Sequence, residues 1–305
     1  MTKNSLSIRD FSYLIVLTAI FFLQYPVLAQ PLVLQNGNMT VVSEPSLEGA
    51  AGEVLRLYPE LKQALEKKFG WRLDIKPQVV LVKDTRTFRK LSRNEFFVAF
   101  AVPEKNLIVI DYSRMNRHPF SLRITFKHEL CHLLLHRHIS HDRLARWFEE
   151  GICQWASDGI GEIFIDKSGS GLSAAILADR LLHLRQLTVK FPRDTASLML
   201  AYEQSKSVVN YIDRQHGKAA ILDLLGHLKN DASMEAAVIK SLGITFEELE
   251  NDWLAHLEST PRWLVYLADN LYGILFFLAA LLTIFGFVRR MMRRKLWENE
   301  EVNGE

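Results

Sequence analysis

Cysteine is scarce in this chain, and so is net charge. The 305 residues include only two cysteines, Cys131 and Cys153, which permit at most one disulfide and exclude a disulfide-rich scaffold. The formal net charge is +2, and much of it comes from the C-terminal tail, so the overall charge does not indicate an acidic partner. The sequence has no internal repeat, and its Gly/Ser-rich segment at residues 168–171 lacks the Lys and Ser/Thr of a phosphate-binding loop.

Apolar segments lie near both ends of the chain. Residues 1–29 have a basic start, an apolar stretch and a small residue at a cleavage position, which predicts a secretory signal peptide; an uncleaved anchor is the alternative. Residues 271–288 form an uncharged run of eighteen residues, which predicts a transmembrane helix. Residues 289–305 follow as a basic tail, predicted to be cytoplasmic, and because the tail adjoins the span a nucleic-acid site is excluded. Residues 30–260 are therefore predicted to be one domain that faces away from the cytoplasm.

The run from His128 to His132 has the pattern H-E-x-x-H. On a helix, residues four apart lie on one face, so both histidines can bind a single zinc ion per chain. Glu129 then lies beside the position that a water molecule takes, where it can act as general base. A solvated, histidine-rich surface is the plainer alternative, but the flanking residues are mostly apolar, and a buried helix is a costly place for histidines without a role.

Three residues compete for the place of the third metal ligand. His136 lies about 12 Å along the helix from His128, too far to share one ion at 1.5 Å per residue. His138 has the metzincin spacing, but Leu135 stands where that pattern has a helix-breaking glycine. Glu150 is the best candidate, because enough residues precede it for a second helix to pack against the first.

The run from Trp147 to Gly151, with Ile152 after it, resembles the W-F-x-E-G-I motif of the gluzincin metallopeptidases. The whole pattern is most similar to the peptidase-MA-like group of membrane-associated bacterial proteins. The resemblance covers about residues 79–257, and it implies that Glu150 is the third zinc ligand. Gly151 is expected to allow close approach of a neighbouring backbone. Glu149 fits the ordinary role of an acidic residue in the first turn of a helix.

The same resemblance implies an α+β, zincin-like fold and assigns further site residues. A small mixed sheet with an edge strand would lie over the H-E-x-x-H helix, followed by a mainly helical part. Tyr202 matches a tyrosine that hydrogen-bonds the oxyanion. Gln154 stands where the family often has an acidic residue that supports a metal-binding histidine, and Asp158 is expected to substitute for it.

Local patterns predict the elements around the site. Residues 53–69 read as helix, in two pieces divided near Pro59. Residues 78–82 read as a strand, and residues 96–102 and 107–111 as a hairpin, one strand of which is a candidate for binding an extended peptide at its edge. Thr245 and Glu248 form a capping box. Cys131 and Cys153 both lie on helix faces that carry metal ligands, so a disulfide between them and two free buried thiols are both open.

These observations predict a membrane-anchored zinc metallopeptidase. Its domain would be periplasmic at the bacterial inner membrane, its C-terminus cytoplasmic, and its substrate a protein or peptide of the cell envelope. Two alternatives remain open at this point. One is an amidase that acts on cell-wall peptides, and the other is a catalytically silent zincin-like binding module.

Overall fold

The computed structural model describes residues 30–117, 119–157, 171–259 and 270–302. The predicted signal peptide lies outside the described residues. The strands are β1 (Leu32–Gln35), β2 (Thr40–Ser43), β3 (Gln78–Val82), β4 (Ala99–Val102) and β5 (Leu107–Asp111). The α-helices are α1 (Glu48–Phe69), α2 (Thr85–Ser92), α3 (Leu122–His138), α4 (Arg146–Ser157), α5 (Gly171–Leu177), α6 (Thr195–Lys229), α7 (Met234–Leu242), α8 (Phe246–Ser259) and α9 (Leu271–Val302). This is the mixed α+β class that the sequence predicts, with a small mixed sheet and mostly helix elsewhere.

The five strands form one sheet in the order β1-β2-β3-β5-β4. Strand β3 pairs in parallel with β2 and β5, while β4 pairs antiparallel with β5, as the predicted hairpin requires. Alternate residues of β3 face two different cores: Val79 and Leu81 enter the main core, whereas Val80 and Val82 pack with Phe88 of α2. This two-sided burial explains the β-branched run of β3. Strand β4 lies at an edge of the sheet and contacts α3.

Helix α1 is one continuous helix, so the predicted division near Pro59 is wrong. The helix buries Val54, Tyr58, Leu61 and Leu65 along one face, and it packs on β1, β2 and α3. Proline removes one backbone donor and favours a kink, but this cost is local. The helix buries an apolar face on both sides of Pro59, and this burial keeps the two halves of α1 on one continuous helix axis.

Helix α4 packs between α3 and α6. The close approach predicted at Gly151 is confirmed, and the neighbouring backbone is that of Ser205 in α6. A Cβ at position 151 would overlap the Ser205 carbonyl and would lie 2.6 Å from Cγ2 of Val209. Glycine is therefore required here by space, and it lets α4 approach α6 closely.

The C-terminal helices of the domain close the core beside α6. Thr245 and Glu248 form the predicted capping box: the Thr245 amide donates to Glu248 Oε2 at 2.7 Å, and the Glu248 amide donates to Thr245 Oγ1 at 3.1 Å. Trp253 of α8 is buried, and its indole N–H donates to Ser207 Oγ on α6 at 3.1 Å. The capping box closes the start of α8, and the Trp253 contact fixes α8 against the helix that carries Tyr202.

Within the described residues, one helix is long and apolar enough to cross a membrane, the segment Leu271–Arg290 of α9. Its large apolar side chains are exposed, for example Phe276 at 78% and Leu282 at 71%. Exposure of such a stripe is unfavourable in water and favourable in hydrocarbon.

Substituting Gly151→Ala should lower the free energy of unfolding by about 1–3 kcal/mol, because the added methyl overpacks the α4–α6 contact. Gly226→Ala, also in a helix but with open space around its Cβ, is the matched control and should be neutral or stabilising by up to about 1 kcal/mol. Urea unfolding of the full chain in neutral detergent measures both changes. Equal stability of the two variants would contradict the close approach.

Candidate metal centre

Helix α3 presents two histidines to one point. His128 and His132 lie one turn apart, and both are buried, with 0% and 5% of their surface exposed. Their Nε2 atoms are 3.1 Å apart. The helix carries them in a buried position because the surrounding residues, among them Phe126 and Leu130, are apolar and fully buried.

Helix α4 brings a carboxylate to the same point. Glu150 is fully buried, and its Oε2 lies 3.6 Å from Nε2 of His128 and 3.6 Å from Nε2 of His132. Burial alone would raise the pKa of Glu150, but Arg146 and the two histidines more than offset this, and the pKa is lowered. The structure therefore brings the three predicted ligands together, with Glu150 as an ionised carboxylate.

The spacing of these three atoms fits a zinc ion. Two ligands of one tetrahedral zinc lie about 3.3 Å apart when each bond is about 2.0–2.1 Å long. The observed separations of 3.1 and 3.6 Å are close to that value. Two imidazoles and a carboxylate are also a donor set that zinc uses in catalytic sites.

Glu149 holds His132 in place, a role that the sequence did not reveal. Its Oε1 lies 2.6 Å from Nδ1 of His132 and 2.9 Å from Nε2 of His136. Burial would raise the pKa of Glu149, but hydrogen bonds from the two histidines lower it well below its usual range. An ionised carboxylate at Nδ1 favours the tautomer of His132 whose Nε2 lone pair faces the metal position.

Gln154, which was expected to support a histidine, contacts the backbone of α6 instead. The amide N–H of Gln154 donates to the backbone carbonyl of Tyr202 at 3.0 Å, so Gln154 ties α4 to α6. Asp158 lies outside the described residues. Adjacent positions on a helix differ by about 100° in direction, which is why Glu149 faces His132 while Glu150 faces the metal position.

Burial and the carboxylates act in opposite directions on His132. Burial lowers its pKa, but Glu150 and Glu149 raise it, and the net pKa lies well above the usual value. A metal ligand must be neutral imidazole, so a proton and a metal ion compete for Nε2 of His132.

Glu129 is fully buried, and it lines a cavity of about 340 Å³ next to the metal position. His132 and Glu150 line the same cavity, and so do residues of β4, including Phe100 and Val102. The predicted general base, two predicted ligands and the edge strand thus border one space.

Two side chains contact the second oxygen of Glu150. Arg146, one turn earlier on α4, donates from Nη2 to Oε1 at 2.7 Å, and the hydroxyl of Tyr202 lies 3.5 Å from the same atom. Tyr202 is buried, with 1% of its surface exposed. The structure therefore places Tyr202 beside the ligand cluster, by which we mean His128, His132 and Glu150, although Tyr202 lies far from these residues in sequence.

A family model described as the Peptidase MA superfamily matches residues 90–259 of the chain. This range covers more than half of the chain and includes every site residue described above. The chain belongs to the Peptidase MA superfamily. The predicted resemblance to this family is therefore confirmed. Comparison with curated proteins finds no match.

Solved zinc metallopeptidases are distantly similar to this Peptidase MA chain. A mutant M1 zinc metallopeptidase from Deinococcus radiodurans bound to a Tyr-Ser-Ala substrate is similar, with 18% identity and a TM-score of 0.35. A two-domain M1 zinc metallopeptidase mutant bound to L-tryptophan has 17% identity and a TM-score of 0.36. In both cases the match covers 75% of this chain and 52% of the other, so this chain spans about half the length of these structures.

His138, the third ligand in the metzincin alternative, lies away from the ligand cluster of the Peptidase MA chain. Helix α3 continues through it because Leu133, Leu134 and Leu135 are buried in the core. Its ring packs against Trp71, and its Nε2 lies 2.8 Å from the carbonyl of Arg72.

The two cysteines are free thiols in the structure, so the disulfide that the sequence leaves open is not formed there. Both are fully buried, Cys131 on α3 and Cys153 on α4. Burial raises the pKa of the Cys153 thiol well above its usual value, and the neighbouring Cys131 raises it further. A protonated thiol is a poor nucleophile and a poor metal ligand. The pair therefore acts as small apolar packing between the two helices that carry the site.

Substituting Glu149→Gln should weaken zinc binding by about 10–100-fold, because His132 loses the charged acceptor that orients its ring. Gln154→Leu is the matched control; it should leave the affinity within about twofold, since Gln154 contacts a backbone carbonyl rather than a histidine. Competition with a chromogenic chelator measures both affinities. A larger loss in Gln154→Leu than in Glu149→Gln would show that the histidine support is assigned to the wrong residue.

Proposed function

We propose that the chain is a membrane-anchored, extracytoplasmic zinc metallopeptidase that hydrolyses peptide bonds. The observation that carries the proposal is the buried convergence of His128, His132 and Glu150, with Glu129 next to them on an open cavity. Membership of the Peptidase MA superfamily supports it. One zinc ion per chain is expected.

The proposed chemistry divides between the metal and the side chains around it. Zinc, when bound, polarises the scissile carbonyl and acidifies water, which makes attack possible at neutral pH. Glu129 accepts the proton of the attacking water and later donates it to the leaving amine. Tyr202 donates a hydrogen bond from its hydroxyl to the oxygen that becomes negative during the attack. Arg146 holds Oε1 of Glu150, so that Oε2 keeps its direction toward the two histidines.

Strand β4 is the proposed binding edge for the substrate backbone. It is an edge strand, and Phe100, Ala101 and Val102 line the same cavity as Glu129. An extended peptide that adds to this edge would gain backbone hydrogen bonds and would pass beside the metal position.

The proposed location follows from the two ends of the chain. The apolar segment of α9 would anchor the protein in the bacterial inner membrane, and the cations that begin at Arg289 would stay on the cytoplasmic side. The signal peptide proposed for residues 1–29 agrees with this orientation. The catalytic domain would then act on proteins or peptides of the cell envelope near the membrane surface.

Substituting Glu129→Gln should reduce peptide hydrolysis by at least about 10²-fold, because the amide cannot accept the proton of the attacking water. Zinc content should stay unchanged, since Glu129 is not a ligand. Hydrolysis of an unstructured protein by the full chain in neutral detergent, followed by mass spectrometry, measures the effect. Equal turnover by wild type and Glu129→Gln would contradict a catalytic role. Zinc binding without hydrolysis of any peptide would favour a silent binding module, and cleavage confined to cell-wall peptides would favour the amidase.

Substituting Tyr202→Phe should lower kcat by about 10²–10³-fold with little change in KM, because the lost hydrogen bond forms mainly in the transition state. The ring should keep its place, since it packs edge-on against Phe191 with centroids 5.0 Å apart. Steady-state kinetics on a fluorogenic peptide separates the two parameters. An unchanged kcat would assign Tyr202 to packing alone.

A further inference from the structure

A second, larger cleft opens beside the ligand cluster. It has a volume of about 1160 Å³. Four residues line both this cleft and the small cavity at Glu129: Phe97, His141, Arg146 and Glu149. The two spaces therefore meet at residues that contact the predicted ligands, since Arg146 pairs with Glu150 and Glu149 with His132, and a chain bound across the site would extend into the larger cleft.

One wall of the cleft is apolar. Leu198 and Tyr202 are buried there, and Phe96, Phe97 and Phe191 pack against them. Tyr202 is part of this wall and also contacts the ligand cluster, because its hydroxyl lies 3.5 Å from Glu150. An apolar side chain of a bound peptide can thus pack against this wall close to the proposed scissile bond.

The lining of the cleft is rich in cations. They are Arg89, Arg93, Arg143, Arg146, Lys190 and Arg193. The acidic residues of the lining are Glu95, Asp142, Glu149 and Glu235. The cations come from three regions that are remote in sequence: the end of α2, the start of α4 with the residues just before it, and the segment that precedes α6.

Most of the acids are already engaged. Asp142 pairs with Arg143 at 3.3 Å, Glu235 lies 3.9 Å from Arg185, and Glu149 binds the two histidines. Arg146 pairs with Glu150.

Four cations remain without an ion pair among the described residues: Arg89, Arg93, Lys190 and Arg193. They are exposed, and among the described residues that line the cleft Glu95 is the one acid left to offset them. A concave surface with an excess of one charge focuses its electric field and concentrates ligands of the opposite charge. The chain as a whole has a formal net charge of only +2, so this excess is a local property of the cleft.

We propose that the cleft selects acidic peptide segments, in which carboxylate side chains flank an apolar residue near the bond to be cut. The inference rests on the proposed peptidase function and gives it a substrate class. The apolar residue would pack against Phe191 and Leu198, and the flanking carboxylates would pair with the cations at the rim. Each exposed pair contributes little, so the selection depends on several pairs acting together.

Binding is measured first, apart from catalysis. The full chain carrying Glu129→Gln, in neutral detergent and loaded with zinc, is titrated into labelled peptides that share one central Leu or Phe and differ only in their flanks: Asp/Glu, Asn/Gln or Lys. The acidic peptide should bind about tenfold more tightly than the neutral one, which corresponds to a few exposed ion pairs. The difference should shrink to about twofold in roughly 0.5 M NaCl, because salt screens exposed charges.

Charge reversal in the cleft tests where the preference arises. The variant Arg93→Glu/Lys190→Glu/Arg193→Glu should abolish the preference for the acidic peptide or invert it. The control Arg214→Glu/Lys218→Glu/Lys240→Glu makes the same change in net charge at exposed residues outside the lining of this cleft, and it should keep the preference. All six positions are exposed, so both variants should fold, which circular dichroism checks.

The outcomes separate this inference from the proposed function. Equal hydrolysis and equal binding of the three peptides, no binding of any peptide, or an equal loss of preference in both triple variants would overturn the acidic-peptide inference. A cleft-dependent binding preference without hydrolysis of any peptide by the wild type would overturn the peptidase function and leave the cleft's selectivity in place. Vesicles of neutral and of anionic phospholipid are the remaining probe. If the cleft variant lost binding to anionic vesicles but kept the peptide preference, the cations would bind a membrane surface rather than a peptide, and the inference would be wrong.

Discussion

The buried carboxylate of Glu150 is the constraint on which the rest of the site depends. An ionised group with no exposed surface is costly unless positive charge and hydrogen bonds compensate it. Its Oε1 receives the guanidinium of Arg146 and lies near the Tyr202 hydroxyl, while its Oε2 faces the two histidines of α3. A divalent cation between that oxygen and the two imidazoles would complete the compensation, and this is the physical reason to interpret His128, His132 and Glu150 as a candidate metal centre rather than as a structural ion pair.

That arrangement holds only because three helices meet closely. Helix α4 carries Glu149 and Glu150 and packs between α3, which carries the histidines, and α6, which carries Tyr202. Gly151 permits the close contact with Ser205 of α6, and the small thiols of Cys131 and Cys153 meet between α3 and α4. The sheet contributes something different: its edge strand β4 borders the cavity, and among the described residues no further strand pairs with it on the outer side, where the substrate backbone is proposed to bind. Helices thus hold the chemical groups, and the edge of the sheet is the proposed binding surface.

The parts that were predictable from sequence are those with a short-range geometric signature. Two histidines four apart define a helix face, and the Thr245–Glu248 pair defines a helix start; the structure contains both. The support of His132 was not predictable in this way, because Glu149 and Gln154 are both plausible until the rotation of α4 relative to α3 is known. Pro59 misled for a related reason: its local cost is real, but the apolar face on both sides of it is buried against the sheet and α3. Strands β1 and β2 were missed because they are four residues long and obtain their stability from pairing with each other and with β3.

Zinc content is the most direct test of the central claim, measured on the full chain in detergent for wild type, Glu150→Ala and His138→Ala. We expect one zinc per chain in the wild type and in His138→Ala, and a sharp loss in Glu150→Ala, because His128 and His132 need the carboxylate to complete the site. Zinc retained without Glu150 but lost without His138 would contradict the arrangement and return the third ligand to the metzincin position. Absence of zinc from all three proteins, after purification without chelators and with zinc supplied, would contradict the metal centre itself.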